Sequence, residues 1–199
     1  MRNCLNTVSK PSEVKVAGID PSLRRPSGVA VIEGGRLKSW LADWGDVARD
    51  VSGSLVIAID APLTLPKSGY FRDVDKAMVK LGLRVLPPGW RWMRELALRS
   101  IELASRLREG GSIVIETHPR SVLKYLNIGS LEELASLLGV TINEVNGGRD
   151  AVDAAVCALV AYSYVVCASE PVKGSDGEIY LVSRRVLNHN IALPGSKSY

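Results

Sequence analysis

The sequence predicts a single α/β domain, a mixed sheet of about five strands with the first three antiparallel, flanked by helices. Three observations predict it. Apolar runs of strand length recur at 14–19, 28–33, 36–41, 55–59 and 113–115. Longer segments with helical spacing or capped starts fall between and after them. The chain has 199 residues, 46% of them apolar, which fits one domain with one continuous core.

Residues 1–13 read as a loose arm without the apolar stretch of a signal peptide. Val14 to Ile19 reads as a strand buried on both faces, ending at Asp20-Pro21-Ser22. Gly28 to Glu33 and Arg36 to Leu41 pair as a hairpin, because Gly34-Gly35 tolerates the positive φ of a primed turn. A short helix follows near 46–51. Leu55 to Ile59 is a strand stopped by Asp60-Ala61-Pro62, since proline cannot continue a central ladder. Helices are expected at 72–82 and from Trp90 to Arg108, separated by Pro87-Pro88-Gly89. Ile113 to Ile115 is the fifth strand. Ser130 and Glu133 form a capping box that starts a helix through Leu138. A long helix spans about Asp150 to Ala168, a short strand lies at Glu178 to Val182, and 183–199 reads as a polar tail.

Carboxylates mark the strand ends. Asp20 follows the first strand, Asp60 the fourth and Glu116 the fifth. A charge at the end of a buried strand costs desolvation energy unless it is compensated, and three such residues suggest one shared sheet edge. In open α/β sheets, ligands bind outside the carboxyl ends of strands. Asp150 and Asp153 add a pair three apart at a helix start, on one face. For Asp150, favourable helix-dipole chemistry is an equal explanation; Asp153 sits in an Ala- and Val-rich run that reads as buried. Clustered carboxylates raise one another's pKa. Mg²⁺ or Mn²⁺ would relieve that repulsion through oxygen ligands. Two such ions can stabilise both the attacking and the leaving oxygen of a phosphodiester, which is the chemical case for hydrolysis of nucleic acid.

The order Val16-Ala17-Gly18-Ile19-Asp20-Pro21-Ser22 followed by Ser27-Gly28-Val29-Ala30-Val31-Ile32 is similar to the opening of ribonuclease-H-like nucleases, Holliday-junction resolvases among them. With Ile59-Asp60-Ala61-Pro62-Leu63-Thr64-Leu65-Pro66, Glu116-Thr117-His118-Pro119-Arg120 and Arg149-Asp150-Ala151-Val152-Asp153-Ala154, the chain resembles a family of predicted RNase-H-fold nucleases, the domain of unknown function numbered 429. The segments cover about residues 14 to 182. The resemblance implies that Asp20, Asp60 and Asp153 are metal ligands, with Glu116 or Asp150 completing the set. Resolvases use one acid from a middle strand and two from the last helix, so one of the five acids here is expected to be structural.

Other residues divide between site and scaffold. Arg24 and Arg25, in the loop after Asp20, are candidates for phosphate contacts, as are Arg91 and Arg120. His118, which strand spacing would place on one face with Glu116, either relays protons or orients a ligand as a substrate-binding residue, or caps the next helix beside Pro119. Trp90 and Trp92 flank Arg91 and either stack on bases or anchor a loop. The basic residues of 72–108 either track phosphates or form a solvated helix face. The net charge of +4 and pI near 9.0 point only weakly to nucleic acid.

The expected activity is that of a Mg²⁺- or Mn²⁺-dependent endonuclease acting on DNA or RNA, with a homodimer possible. A nucleotide-binding phosphotransferase or ATPase-like domain and a non-catalytic binding module are the alternatives on the same fold. No phosphate-binding P-loop or G-x-S-x-G elbow is present. Cys4, Cys157 and Cys167 lack metal-ligand spacing, and the last two read as core residues. That cysteine usage predicts no disulfide framework and a cytoplasmic protein. The run Ala151 to Ala168 holds Asp153 and is too short for a membrane span, so no membrane partner is expected.

Overall fold

The computed structural model describes residues 13–187. The expected arm, up to residue 12, and residues 188–199 of the expected tail lie outside them. The opening meander is β1 (Val16–Asp20), β2 (Ser27–Glu33) and β3 (Arg36–Ala42), paired antiparallel with Gly34-Gly35 at positive φ in the turn. β4 (Val56–Ile59) lies parallel to β1, and β5 (Ile113–Thr117) lies parallel to β4. Their carboxyl ends therefore share one edge with that of β1.

The sheet is larger than the sequence predicts. It has eight strands in the order β6-β3-β2-β1-β4-β5-β8-β7, with β6 at Thr141–Val145, β7 at Ser169–Gly174 and β8 at Gly177–Val182. β6 and β7 are the edge strands. Each is paired on one side only, and neither shows the apolar alternation that marks a half-buried strand. β7 also contains Pro171, tolerated there because an edge strand has a side without ladder bonds.

Helices cover both faces. α1 (Trp44–Asp50) and α3 (Arg91–Glu109) bury Val47, Leu103 and Leu107 against Ala17, Ile19, Ile57 and Ile59. α2 (Asp73–Lys80), α4 (Pro119–Leu126), α5 (Leu131–Leu137) and α6 (Gly148–Val165) pack with the alternate residues of the sheet, including Val16, Ala30 and Ala58. The strand-end residues 184–187, expected within a polar tail, form a 3-10 helix with Val186 buried and Arg184 stacked on Tyr125 at 4.3 Å. Cys157 is a buried free thiol as expected, whereas Cys167 is exposed at φ 61 and takes part in a disulfide, against the expectation of a core thiol. Among the described residues no helix is long and apolar enough to cross a membrane.

Two glycines set how close α6 comes to the sheet. A Cβ on Gly18 of β1 would lie 2.2 Å from both the Ala154 carbonyl oxygen and the Ala158 nitrogen. A Cβ on Gly28 of β2 would lie 2.0 Å from the Asp150 carbonyl oxygen. The helix backbone thus rests directly on the two strands. The Ser39 hydroxyl donates to the Ala151 carbonyl at 2.5 Å and fixes the start of the helix over β3.

Candidate active site

The parallel strands deliver three acids to one edge. Asp20 ends β1, Asp60 follows β4, and Glu116 lies near the end of β5. The close approach of α6 adds Asp150 and Asp153 from its first turns. All five line one cleft of about 870 Å³.

The five carboxylates are not equivalent. Among the described residues, neither the Asp20 nor the Asp60 carboxylate accepts a hydrogen bond or forms an ion pair. Burial first, and then the charges of Asp153 and Asp150, push Asp20 up to about 7 against the pull of Arg25 and Arg120. Asp60 stands well above the carboxylate range, chiefly through burial, with Asp20, Asp153 and Glu116 adding repulsion. Asp153 is raised by burial, opposed by Arg149 and Arg120. It pairs loosely with the exposed Arg149 at 3.7 Å, and Asp150 pairs with the exposed Arg25 at 3.3 Å.

Glu116 is held by a cation. Arg72, 1% exposed, donates to its two oxygens at 2.8 and 2.6 Å, and the Leu63 amide donates at 2.8 Å. The same guanidinium donates to both oxygens of Asp75 at 3.1 and 2.7 Å, and to the Thr64 hydroxyl at 3.0 Å. Burial raises the Glu116 pKa, while Arg72 and the Leu63 amide pull it down. Three of its roughly four lone-pair sites are already committed, so it orders the 62–64 loop and the start of α2 against β5.

His118 is the N-cap of α4. Its Nδ1 accepts from the Ser121 amide at 3.2 Å and lies 2.8 Å from the Ser121 hydroxyl. Nδ1 as acceptor puts the proton on Nε2. Burial, then the Arg120 charge, depresses the ring to about 4, so it is a neutral donor at physiological pH. Among the candidate phosphate contacts, Arg25 and Arg120 line the cleft, whereas Arg24 and Arg91 are exposed and do not.

The basic stretch 72–108 separates into distinct roles. Arg72 is buried in the acid network, and Arg84 lines the cleft. Arg99 stacks over Trp44 at 4.4 Å, Arg106 pairs with Glu102, and Arg108 donates to the Val114 carbonyl at 3.1 Å. Asp75 and Arg149 line the cleft although composition and spacing did not single them out, and Arg72 and Arg84, read only as members of the basic stretch, line it as well. The Arg72-x-x-Asp75 spacing before a helix was the available signal, but its partner Glu116 lies 44 residues away.

Among the described residues, no group of three His, Cys, Asp or Glu side chains already stands as a metal cage. The donor set nonetheless fits a hard divalent cation. It consists of oxygen ligands only, and the Asp20 and Asp60 carboxylates, whose pKa values are raised by burial and mutual repulsion, have no ion-pair partner among the described residues.

No family model matches the sequence, that of the expected domain of unknown function included, and no curated protein matches it. Among solved structures, a similar chain is RuvC of T. thermophilus, in complex with a Holliday junction substrate. It is 17% identical, the match covers 75% of this chain and 94% of that one, and the TM-score is 0.39.

Proposed function

We propose that the protein is a metal-dependent nuclease that hydrolyses phosphodiester bonds of nucleic acid. The observation that carries this reading is the uncompensated pair Asp20 and Asp60, beside Asp153, in a cleft whose walls also hold Arg25, Arg84, Arg120 and Arg149. An acidic floor under a basic rim suits a phosphate chain bridged to the protein by cations.

Asp20, Asp60 and Asp153 would hold Mg²⁺ or Mn²⁺, with Asp150 as the next donor. The bound cations would neutralise the acids and draw charge from the scissile phosphate. Arg25, Arg120 and Arg149 would position the flanking phosphates. The Nε2–H of His118 would donate a neutral hydrogen bond into the cleft. Glu116, gripped on both oxygens by Arg72, would fix the walls rather than serve as a principal ligand.

The test is incubation of the purified protein with labelled single strands, duplexes, RNA–DNA hybrids, flaps and four-way junctions in Mg²⁺ or Mn²⁺. Cleavage by the native protein that Asp20→Asn abolishes supports the reading. Equal cleavage by both proteins, or none by either across the panel, sinks it.

A further inference from the structure

The cleft has an apolar wall that phosphate binding does not explain. Residues 60–112 leave the sheet after β4 and return to it at β5, and the excursion carries α2 and α3. Trp92 and Leu86 from this excursion line the same cleft as the acids, yet remain 50% and 48% exposed. Met93 and Leu96 lie with them on the α3 side of the cleft, and Met93 is buried.

The wall is rigidly presented. Gly89 donates to the Tyr70 carbonyl at 2.9 Å, and a Cβ there would meet the Tyr70 Cα at 2.5 Å. The two loops of the excursion are therefore in backbone contact. The Trp90 amide bonds back to the Pro87 carbonyl at 3.1 Å, which fixes the first turn of α3 and with it Trp92. At the other end, Asp176 of the β7–β8 turn accepts from the amides of Asp73 and Val74 at 2.7 and 3.1 Å, mooring α2.

We infer that Trp92, with Leu86 beside it, stacks against unpaired bases, so that the cleft takes single-stranded or flapped nucleic acid in preference to intact duplex. The inference rests on the reading of the cleft as a nucleic-acid site and specifies its substrate. In a duplex the base faces are already stacked on one another, and the outer surface is sugar and phosphate. An exposed indole and leucine gain nothing from that surface and would desolvate its charges. An unpaired base offers a free π-face, and stacking on an aromatic side chain is indifferent to sequence. The charges agree with this division. Arg84, which also lines the cleft, makes no side-chain hydrogen bond or ion pair among the described residues and is free to meet a phosphate beside a stacked base, while Arg120 and Arg149 lie in the same cleft as the acids.

The experiment is fluorescence anisotropy with the full-length native protein in EDTA, where binding is read without cleavage. The probes are a labelled DNA strand, an RNA strand of the same sequence, the blunt DNA duplex, and that duplex with an unpaired flap. Unpaired strands and flaps should bind about 10-fold or more tighter than blunt duplex and quench tryptophan emission. Trp92→Ala should weaken strand binding about 5- to 150-fold without changing duplex binding, and Trp92→Phe should recover most of the loss. Duplex bound as tightly as single strand overturns the inference, as does an unaffected Trp92→Ala variant or the absence of binding to any probe. So does a change of oligomeric state in Trp92→Ala on a sizing column, which would make the ridge a protein interface. A protein that prefers unpaired strands in EDTA but cuts nothing with metal refutes the nuclease reading and leaves this inference standing. Cleavage without such a preference does the reverse.

Discussion

Replacing Gly28 with alanine tests the packing that brings α6 to the carboxylates. Gly28 has no positive φ, so alanine fits its backbone. In open space such a change would stabilise the protein by about 0.4–1 kcal/mol, through the entropy of the unfolded chain. Here the added Cβ would lie 2.0 Å from the Asp150 carbonyl oxygen and 2.6 Å from its carbonyl carbon, where real contacts essentially never fall below 3.0 Å. Both obstacles are backbone, so no rotamer change relieves them and the start of α6 must retreat by about 1 Å. Overpacking of this kind costs about 1–3 kcal/mol, or a fall in Tm of about 2–12 °C for a chain of this size. The retreat also carries Asp150 and Asp153 away from Asp20, and a misplacement of that size costs about 100-fold in rate. Gly45, in α1 with nothing within 4 Å of its Cβ position, is the control and should gain stability as alanine. Urea denaturation of the three proteins reads the sign directly. A Gly28→Ala variant as stable as the native protein, or more so, would refute the close approach of α6.

Asp20 should make the protein less stable as pH rises. Its folded pKa of about 7 lies above the ordinary 3.8, so its stabilising contribution is full below about pH 4 and is lost as pH rises through about 7. Thermal unfolding at several pH values should show that slope flattened in Asp20→Asn, and Mg²⁺ or Mn²⁺ should raise Tm more at pH 8 than at pH 5; a metal shift independent of pH would argue against Asp20 as a ligand. Arg72→Met should cost about 3–5 kcal/mol in urea denaturation, because it leaves Glu116 and Asp75 buried without their cation; Arg72→Lys should not recover the loss, since lysine lacks the planar fork that grips both carboxylates. His118, depressed to about 4, should show no imidazole titration by NMR between about pH 5.5 and 8, and protonation near neutrality would rule it out as a neutral donor.

The acids at strand ends were legible because each breaks an apolar run at its carboxyl terminus. That signal is local, and parallel pairing of β1, β4 and β5 turns it into a cluster. Asp153 was legible as a charge inside an alanine-rich helix. The edge strands β6 and β7 were not, because residues facing solvent on an open edge carry no periodic signature. Nor was the inequality among the acids. Glu116 and Asp60 look alike in sequence, and they differ because Arg72, 44 residues upstream of Glu116, folds back onto only one of them. The arginines of 72–108, read either as a phosphate-tracking surface or as a solvated helix face, divide among roles for a similar reason: the partners of Arg99 and Arg108, Trp44 and the Val114 carbonyl, belong to other elements.

The excursion between β4 and β5 begins and ends on adjacent strands, which pair from Val56 opposite Ile113 to Ile59 opposite Glu116. Because these strands are parallel, its two feet lie at opposite ends of neighbouring strands, one at Ile59 and the other at Ile113, and the loops between them can be lengthened, shortened or exchanged without altering the order of the sheet. What such a graft must keep is the buried faces of α2 and α3 against the sheet, and the Arg72–Asp75 clasp on Glu116, which ties the roof to the floor. The cleft then behaves as a fixed bench with an interchangeable vise. Related chains could keep the same acids at the strand ends and acquire a different grip on what lies across them, by changing one stretch of sequence.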